Sequence, residues 1–363
     1  MIPFFSQKRE NYFFKKKNNK IVNKILLSGK VLQGPSVAEL EKKLSKLYKT
    51  KYCVCVNSCT DALFFSLASL KLKQNDEVIV SNFSYVASAS SIVRSGAKPI
   101  FVDIDLDFNM NLKEAQNKIT KKTKVLVYVH LFGKSGKLKE IKNFCKKNNL
   151  ILIEDIAQTF ALSDNRKKAG MIGDLVCVSF DPTKTVSAPG SGGAILTNSV
   201  KAYDFIKRVR YHGKNLKKTK FDFMGYNSQM PSITAAILTE KLKYNDKWII
   251  KRQSIAKYYT KNLSKYVLTP ITDSDHVFHK YVILTNRRNA LIKYLKKNKI
   301  ESMIHYLYLL SENEYLKKYV NKSDKFKIAK QVSTKALSLP IHAFLKKNEI
   351  DKITKTIIKF FDN

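Results

Sequence analysis

A chain of 363 residues with 44% apolar side chains has enough hydrophobic material for a large core, which excludes a disordered chain and, since single cores seldom grow past roughly 250 to 300 residues, favours two domains. Lys and Arg total 67 against 29 acidic residues, a formal net charge of +38, but the lysines are dispersed along the whole chain and arginine is scarce. Readers of DNA and RNA concentrate charge on one face and use arginine forks, so a basic nucleic-acid-binding protein is the rival reading from another class, and a bias that fills exposed positions with lysine explains the pattern at least as well.

No apolar run approaches the roughly 20 residues that span a bilayer, and the N-terminus MIPFFSQKREN lacks the apolar core of a signal peptide, so a cytoplasmic protein is expected. Five cysteines, Cys53, Cys55, Cys59, Cys145 and Cys177, include no C-x-x-C and sit in apolar segments. Reduced, partly buried thiols are expected rather than disulfides, and no metal site.

Short apolar strands alternate with helical stretches through the first two thirds of the chain, the sequence form of an α/β domain with a mostly parallel sheet. A helix starts at Gly34-Pro35-Ser36, with Ser36 and Glu39 at capping-box spacing and Leu40, Leu44 and Leu47 on one face. Strands are predicted at 53–56, 77–80, 99–102, 125–129, 150–153, 175–180 and 193–197, and helices at 61–70, 86–95 and 137–147. After Gly225 the texture changes to longer amphipathic helices over 232–263, with Ile233, Ile237 and Leu242 facing inward. An alternating strand over 276–284 and mixed helices follow. Residues 1–245 form the larger domain and 246–363 a smaller C-terminal α+β domain, against which the N-terminal segment can also pack.

Lys184 stands between two apparent strands, in CVSFDPTKTVSAPGSGGAILT, just ahead of a glycine cluster. Alone it would pass for one more surface lysine; its setting says otherwise. The apolar run 150–153 ends in Glu154 and Asp155, then Gln158, where ligands collect at the carboxyl ends of strands in open α/β sheets. Glu154 reads as structural beside Asp155. Val56-Asn57-Ser58-Cys59-Thr60-Asp61 joins a strand to a helix, where the hydroxyls of Ser58 and Thr60 and backbone N–H groups suit a phosphate, although Thr60 can equally be a helix cap. Ser179, leaving its own strand, adds another hydroxyl. Tyr85, after the strand at 77–80, can stack on a planar ring or pack in the core. An amine, a carboxylate, a phosphate cradle and an aromatic plate are together what pyridoxal phosphate requires. His130 and His342 read as structural.

The chain resembles the DegT/DnrJ/StrS sugar aminotransferases, pyridoxal-phosphate enzymes of fold type I, over nearly its whole length. The resemblance is carried in order by SGKVLQGPSVAELEKKL, YCVCVNSCTDAL, DEVIVSNFSYVASASSIVRSGAKPIFVDID, VLVYVHLFGKSGKL, ILIEDIAQTFA, VSFDPTKTVSAPGSGGAILT, RYHGKN, GYNSQMPSITAAIL, HKYVIL and IHY. It implies that Lys184 bonds to the cofactor and later moves the proton between carbons, and that Asp155 pairs with the pyridinium. It further implies that Gln158 touches the ring's substituent oxygen, Tyr85 stacks, and Ser58, Cys59, Thr60 and Ser179 hold the phosphate. Asn227 would reach the phosphate of the neighbouring subunit, making a homodimer with shared active sites. Ser191, His305 and Tyr306 would lie on the substrate side.

Three positions depart from the family pattern: Cys59 replaces a glycine, Ser191 an acidic residue, and Gln229 an arginine. By the same resemblance the reaction passes the amino group of L-glutamate to a nucleotide-linked 3- or 4-keto-deoxyhexose, giving an amino sugar for surface polysaccharide or glycan synthesis. Family members that dehydrate sugars instead carry histidine at the lysine position, so Lys184 argues against that alternative.

Overall fold

The computed structural model describes residues 1–160, 168–215, 218–321 and 323–363. The chain opens with α1 (Gln7–Ser28) and α2 (Pro35–Tyr48), then alternates β1 (Tyr52–Val56), α3 (Cys59–Ala68), β2 (Glu77–Ser81), α4 (Ala87–Arg94) and β3 (Lys98–Val102). The alternation continues through α5 (Leu112–Asn117), β4 (Thr123–Val129), α6 (Leu138–Lys147) and β5 (Ile151–Asp155). The strands β6 (Leu175–Ser179) and β7 (Gly193–Thr197) precede α7 (Val200–Val209), α8 (Ser232–Leu242) and α9 (Asn245–Leu263). The last part holds β8 (Tyr281–Leu284), α10 (Arg288–Lys297), α11 (Lys327–Lys335), β9 (Ala336–Leu339) and α12 (Lys347–Asp362).

The first seven strands form one sheet in the order β1-β7-β6-β5-β4-β2-β3, and β7 is antiparallel to both its neighbours while the other pairings are parallel. Apolar side chains alternate between two covered faces, as the two-residue period of a strand requires. Val54 and Val56, Leu175 and Cys177, and Ile195 join one core. Cys53 and Cys55, Val176 and Val178, and Ala194 and Leu196 join the other. Residues 62–67 of α3 are all buried, because this helix lies between the sheet and other helices rather than at the surface.

The small sheet pairs β8 with β9 antiparallel. Its alternation serves two cores at once: Val282 and Leu284 face the main cluster, while Tyr281 and Ile283 join a second one with Ile255, Leu291 and Ile353. Ile2 belongs to that second cluster too, and the N-terminal segment is held there by backbone hydrogen bonds from Ile2 N–H to the Lys299 carbonyl (2.7 Å) and from Glu301 N–H to the Ile2 carbonyl (3.0 Å). All five cysteines are free thiols, four of them buried. Among the described residues no helix is long and apolar enough to cross a membrane.

Several local expectations are corrected. The capping box of Ser36 and Glu39 does not form: Gly34 is the N-cap, with Pro35 opening the helix and no side-chain cap bond. Tertiary contact sets this helix entry, since Ser232 Oγ accepts the Gly34 N–H at 3.2 Å and a Cβ on Gly34 would stand 2.7 Å from the Lys30 carbonyl oxygen. The predicted strand over 276–284 is a strand only from Tyr281. Residues before it bond to another loop instead, Val277 N–H to the Gly133 carbonyl (2.8 Å) and Lys280 N–H to the Phe132 carbonyl (3.0 Å). The long helix α1 was not anticipated, because it buries only Glu10, Phe14 and Ile25 and so shows little apolar periodicity.

One of those residues anchors it. Lys241 of α8, 2% exposed at its side chain, reaches Glu10 at 2.5 Å and the Ser187 carbonyl at 2.6 Å, and Ser187 Oγ donates to the same carboxylate at 3.0 Å. Removing one partner of such a pair strands the other charge. Lys241→Ala should therefore cost about 3 kcal/mol of stability in urea denaturation, and pairing Lys241→Met with Glu10→Gln should recover most of it.

Candidate active site

Gly193 at the start of β7 lies opposite Val56 at the end of β1 and opposite Ser179 at the end of β6. A Cβ there would stand 2.5 Å from the Ser58 carbonyl carbon and 2.6 Å from the Cys59 nitrogen, so glycine is what lets the start of α3 come this close to the sheet. Close approach is thus carried by Gly193, and Cys59 at the first position of α3 does not prevent it. Ser58 caps the helix, its Oγ accepting the Asp61 N–H at 3.1 Å. Thr60 is therefore not the cap.

A cavity of about 380 Å³ opens at this sheet edge. Ser58, Cys59, Thr60 and Ser179 line it beside the N-terminus of α3. Asp155 and Gln158 enter from the end of β5, with Lys184 from the turn after β6. Tyr85, Ser191, His305 and Tyr306 complete the predicted set around it. Asn227 is not in the lining; it is exposed and its Oδ1 accepts the Gln229 side-chain N–H at 3.3 Å. Tyr85 is 58% exposed, which leaves most of its ring uncovered and overturns core packing as its role.

Burial pushes the Lys184 ammonium below its ordinary pKa, against the attraction of Asp181, Cys59 and Asp155. The neutral, nucleophilic amine is thereby favoured. Burial also pushes the Asp155 carboxyl up, opposed by the Ala157 N–H, the nearby Lys184 charge and the Ser88 hydroxyl. Oδ1 accepts from Ala157 N–H at 3.0 Å and Oδ2 from Ser88 at 3.3 Å, yet no cation bonds to this carboxylate among the described residues. Gln158 is locked by its neighbours: Oε1 accepts the Phe132 N–H at 3.0 Å and Nε2 donates to the Tyr306 hydroxyl at 3.0 Å, leaving one amide N–H.

Glu154 and His130 are structural, as expected. Glu154 accepts N–H groups from Gly170 (2.8 Å), Ile172 (3.0 Å) and Gly173 (2.6 Å). His130 Nδ1 accepts the Gly136 N–H at 3.1 Å, so its proton sits on Nε2 and is donated to Glu154 at 3.0 Å. His342 is buried away from this cavity, which holds its pKa down at about 3.

Sequence reasoning missed Ser88, Asp181, Phe5, His279 and Lys280, which also line the cavity. Ser88 follows Ser84 by four residues on the turn into α4, a spacing legible in principle, and the two hydroxyls meet at 3.0 Å. Phe5 arrives from the chain's first residues and had no local signal.

The sequence profile of the DegT/DnrJ/EryC1/StrS aminotransferase family matches residues 13–358. The chain belongs to this family. The aminotransferase is 32% identical over 364 residues to a dTDP-3-amino-3,6-dideoxy-alpha-D-galactopyranose transaminase of Aneurinibacillus thermoaerophilus, covering 99% of each chain. Its fold matches a DegT/DnrJ/EryC1/StrS aminotransferase from Brucella abortus with a TM-score of 0.94 at 27% identity, over 100% of both chains. It matches NtdA from Bacillus subtilis, solved with its cofactor PMP bound, with a TM-score of 0.91 at 26% identity, over 99% of this chain and 83% of that one.

This aminotransferase depends on pyridoxal phosphate, and its cavity fits that group. The buried Asp155 carboxylate, with no bonded cation among the described residues, suits a pyridinium nitrogen, and the start of α3 lines the cavity at Ser58, Cys59 and Thr60, where a helix dipole favours a phosphate.

Glu154 is testable apart from chemistry. Glu154→Ala leaves three backbone N–H groups without acceptors, and the expected loss of stability is about 3 kcal/mol or more, measured as a shifted urea midpoint at unchanged slope.

Proposed function

We propose that this aminotransferase transfers the amino group of L-glutamate to the keto group of a nucleotide-linked 3- or 4-keto-deoxyhexose, producing a nucleotide-linked amino sugar. The observation that carries the reading is the meeting of Lys184 and the buried Asp155 in one cavity at the sheet edge, beside Ser58, Cys59 and Thr60 at the start of α3. When bound, pyridoxal phosphate supplies an electrophilic aldehyde and an electron-accepting ring. Everything else is the work of the chain.

Lys184, whose pKa burial lowers, would bond to the cofactor through its Nζ and would carry the proton between carbons. Asp155, itself held by Ser88 and Ala157, would keep a proton on the ring nitrogen. Thr60 and Ser179 offer hydroxyls, and α3 its first N–H groups, to the phosphate. Tyr85 presents an uncovered ring for stacking, and Gln158, fixed by Phe132 and Tyr306, keeps one amide N–H for the ring's substituent oxygen. Ser191, His305 and Tyr306 stand on the side left for the sugar, whose diphosphate a basic surface attracts.

Purified protein should be yellow, and borohydride should fix the cofactor to Lys184, found as a mass increase on the peptide that contains it. Lys184→Ala should keep the fold and lose turnover by about a thousandfold or more; normal turnover by this variant would overturn the mechanism. A panel of dTDP-, UDP- and GDP-linked ketosugars with glutamate, read by product mass and NMR, identifies the acceptor.

We further propose a homodimer in which Asn227 serves the partner's phosphate. Its exposure, and its place outside the cavity of its own chain, support this. Mixing Lys184→Ala with Asn227→Asp and allowing subunit exchange rebuilds one intact site per mixed dimer. Activity should then return to about a quarter of the wild-type level, and no recovery would indicate that the two residues serve the same chain's site.

A further inference from the structure

Two lysines besides Lys184 frame the question. Lys241 is buried and answered by Glu10 at 2.5 Å. Lys280 is also buried, 6% exposed, but has no hydrogen bond or ion pair from its Nζ among the described residues. Its Nζ stands over the face of Phe4, 4.9 Å from the ring centroid. Buried ammonium groups normally have an anion beside them.

The backbone aims this side chain into the cavity. Lys280 N–H is tied to the Phe132 carbonyl at 3.0 Å, just before β8 begins. Gly133 permits that docking: its φ is +100°, and a Cβ there would stand 2.7 Å from the His279 nitrogen. Lys280 lines the active-site cavity together with His279 and His305, and both histidine rings lack negative partners. His305 Nδ1 meets Ser338 Oγ at 2.9 Å, and neither ring nitrogen of His279 has a partner.

We propose that Lys280 is an anion subsite of the cavity that receives a carboxylate of a substrate, either the amino donor's or one carried by the sugar acceptor. The proposal rests on the aminotransferase reading, and specificity is its consequence: an amino acid or keto acid is held by its carboxylate while its amine or carbonyl reaches the carbon that Lys184 serves. A carboxylate would give Lys280 the charged partner that the fold withholds.

The charge balance around Lys280 supports this geometry. Burial first, then Lys184 and Arg252, lower its pKa to about 7, and Asp181 opposes them. Lys280 in turn helps to hold His279 and His305 neutral. The Arg252 guanidinium is spent on the carbonyls of Phe278 and Ile341, so it does not compete for the ligand. Asp181 accepts from the backbone and hydroxyl of Thr183. An anion that binds favours protonated Lys280; rising pH removes that proton and weakens the anion's hold.

The test uses cofactor-loaded protein, wild type and the variants Lys280→Met and Lys280→Arg. Calorimetric titration with 2-oxoglutarate should show binding about tenfold or more weaker in Lys280→Met, largely restored in Lys280→Arg. Wild-type affinity should fall as pH rises through about 7, and the arginine variant should lose this dependence. Bleaching of cofactor absorbance by glutamate, followed separately, should show a raised KM at little-changed limiting rate, with an amine donor lacking a carboxylate unaffected.

Titration with a nucleotide-linked uronic acid and its neutral hexose counterpart separates the two sources. A loss confined to the uronic acid assigns the carboxylate to the acceptor; a loss confined to 2-oxoglutarate assigns it to the donor. Equal binding of both acids by wild type and Lys280→Met overturns the proposal and leaves Lys280 a packing partner of Phe4. Lys280-dependent binding without any bleaching by an amino donor would keep the subsite and refute the transaminase reading instead.

Discussion

The active site depends on one reversed strand. Because β7 runs against β1 and β6, its first residue, not its last, lies at the edge where the other strands end, and that residue is Gly193. Its missing side chain lets the Ser58–Cys59 turn descend onto the sheet, which brings the N-terminus of α3 beside Ser179. Next to it, β5 stands parallel to β6 with Asp155 opposite Cys177, so the carboxylate reaches the same edge. A parallel strand at the place of β7 would put Thr197 there and close the cleft.

Around that cleft the chain treats its buried charges in two ways. Those that hold the scaffold are satisfied within the protein: Glu154 by three N–H groups and His130, Lys241 by Glu10. Those in the cavity are not. Lys184, Asp155 and Lys280 form no ion pair among the described residues, although Asp155 and Asp181 attract Lys184, and burial displaces the pKa of each toward the neutral form. Unmatched charge costs stability in an empty site and is recovered when a ligand of opposite charge arrives, so the contrast between the two groups separates scaffold from site.

The order of elements was legible because strand alternation and helix periodicity survive in sequence. All seven strands of the large sheet, and the residues at their ends, were read within a residue or two. What failed did so for tertiary reasons. The helix α1 is amphipathic too weakly to be read, the entry to α2 is set by Ser232 rather than by its own cap, and residues 276–280 exchange strand pairing for a loop at Phe132 and Gly133. That exchange is also why Lys280 was overlooked: in an alternating strand it would have been one more polar position.

By itself the sequence determined the family and the cofactor chemistry, and it singled out Lys184, Asp155, Gln158 and the Ser58–Thr60 turn as candidates, since these are local motifs tied to strand ends. Only the tertiary structure decided which of them share a cavity, that Ser58 rather than Thr60 caps α3, and that Phe5, Ser88 and Lys280 belong to the site. The physical reason is that a motif encodes its own backbone geometry through neighbouring residues, whereas burial, and the unmatched charge that burial exposes, arises only when segments as distant as residues 4 and 280 come into contact.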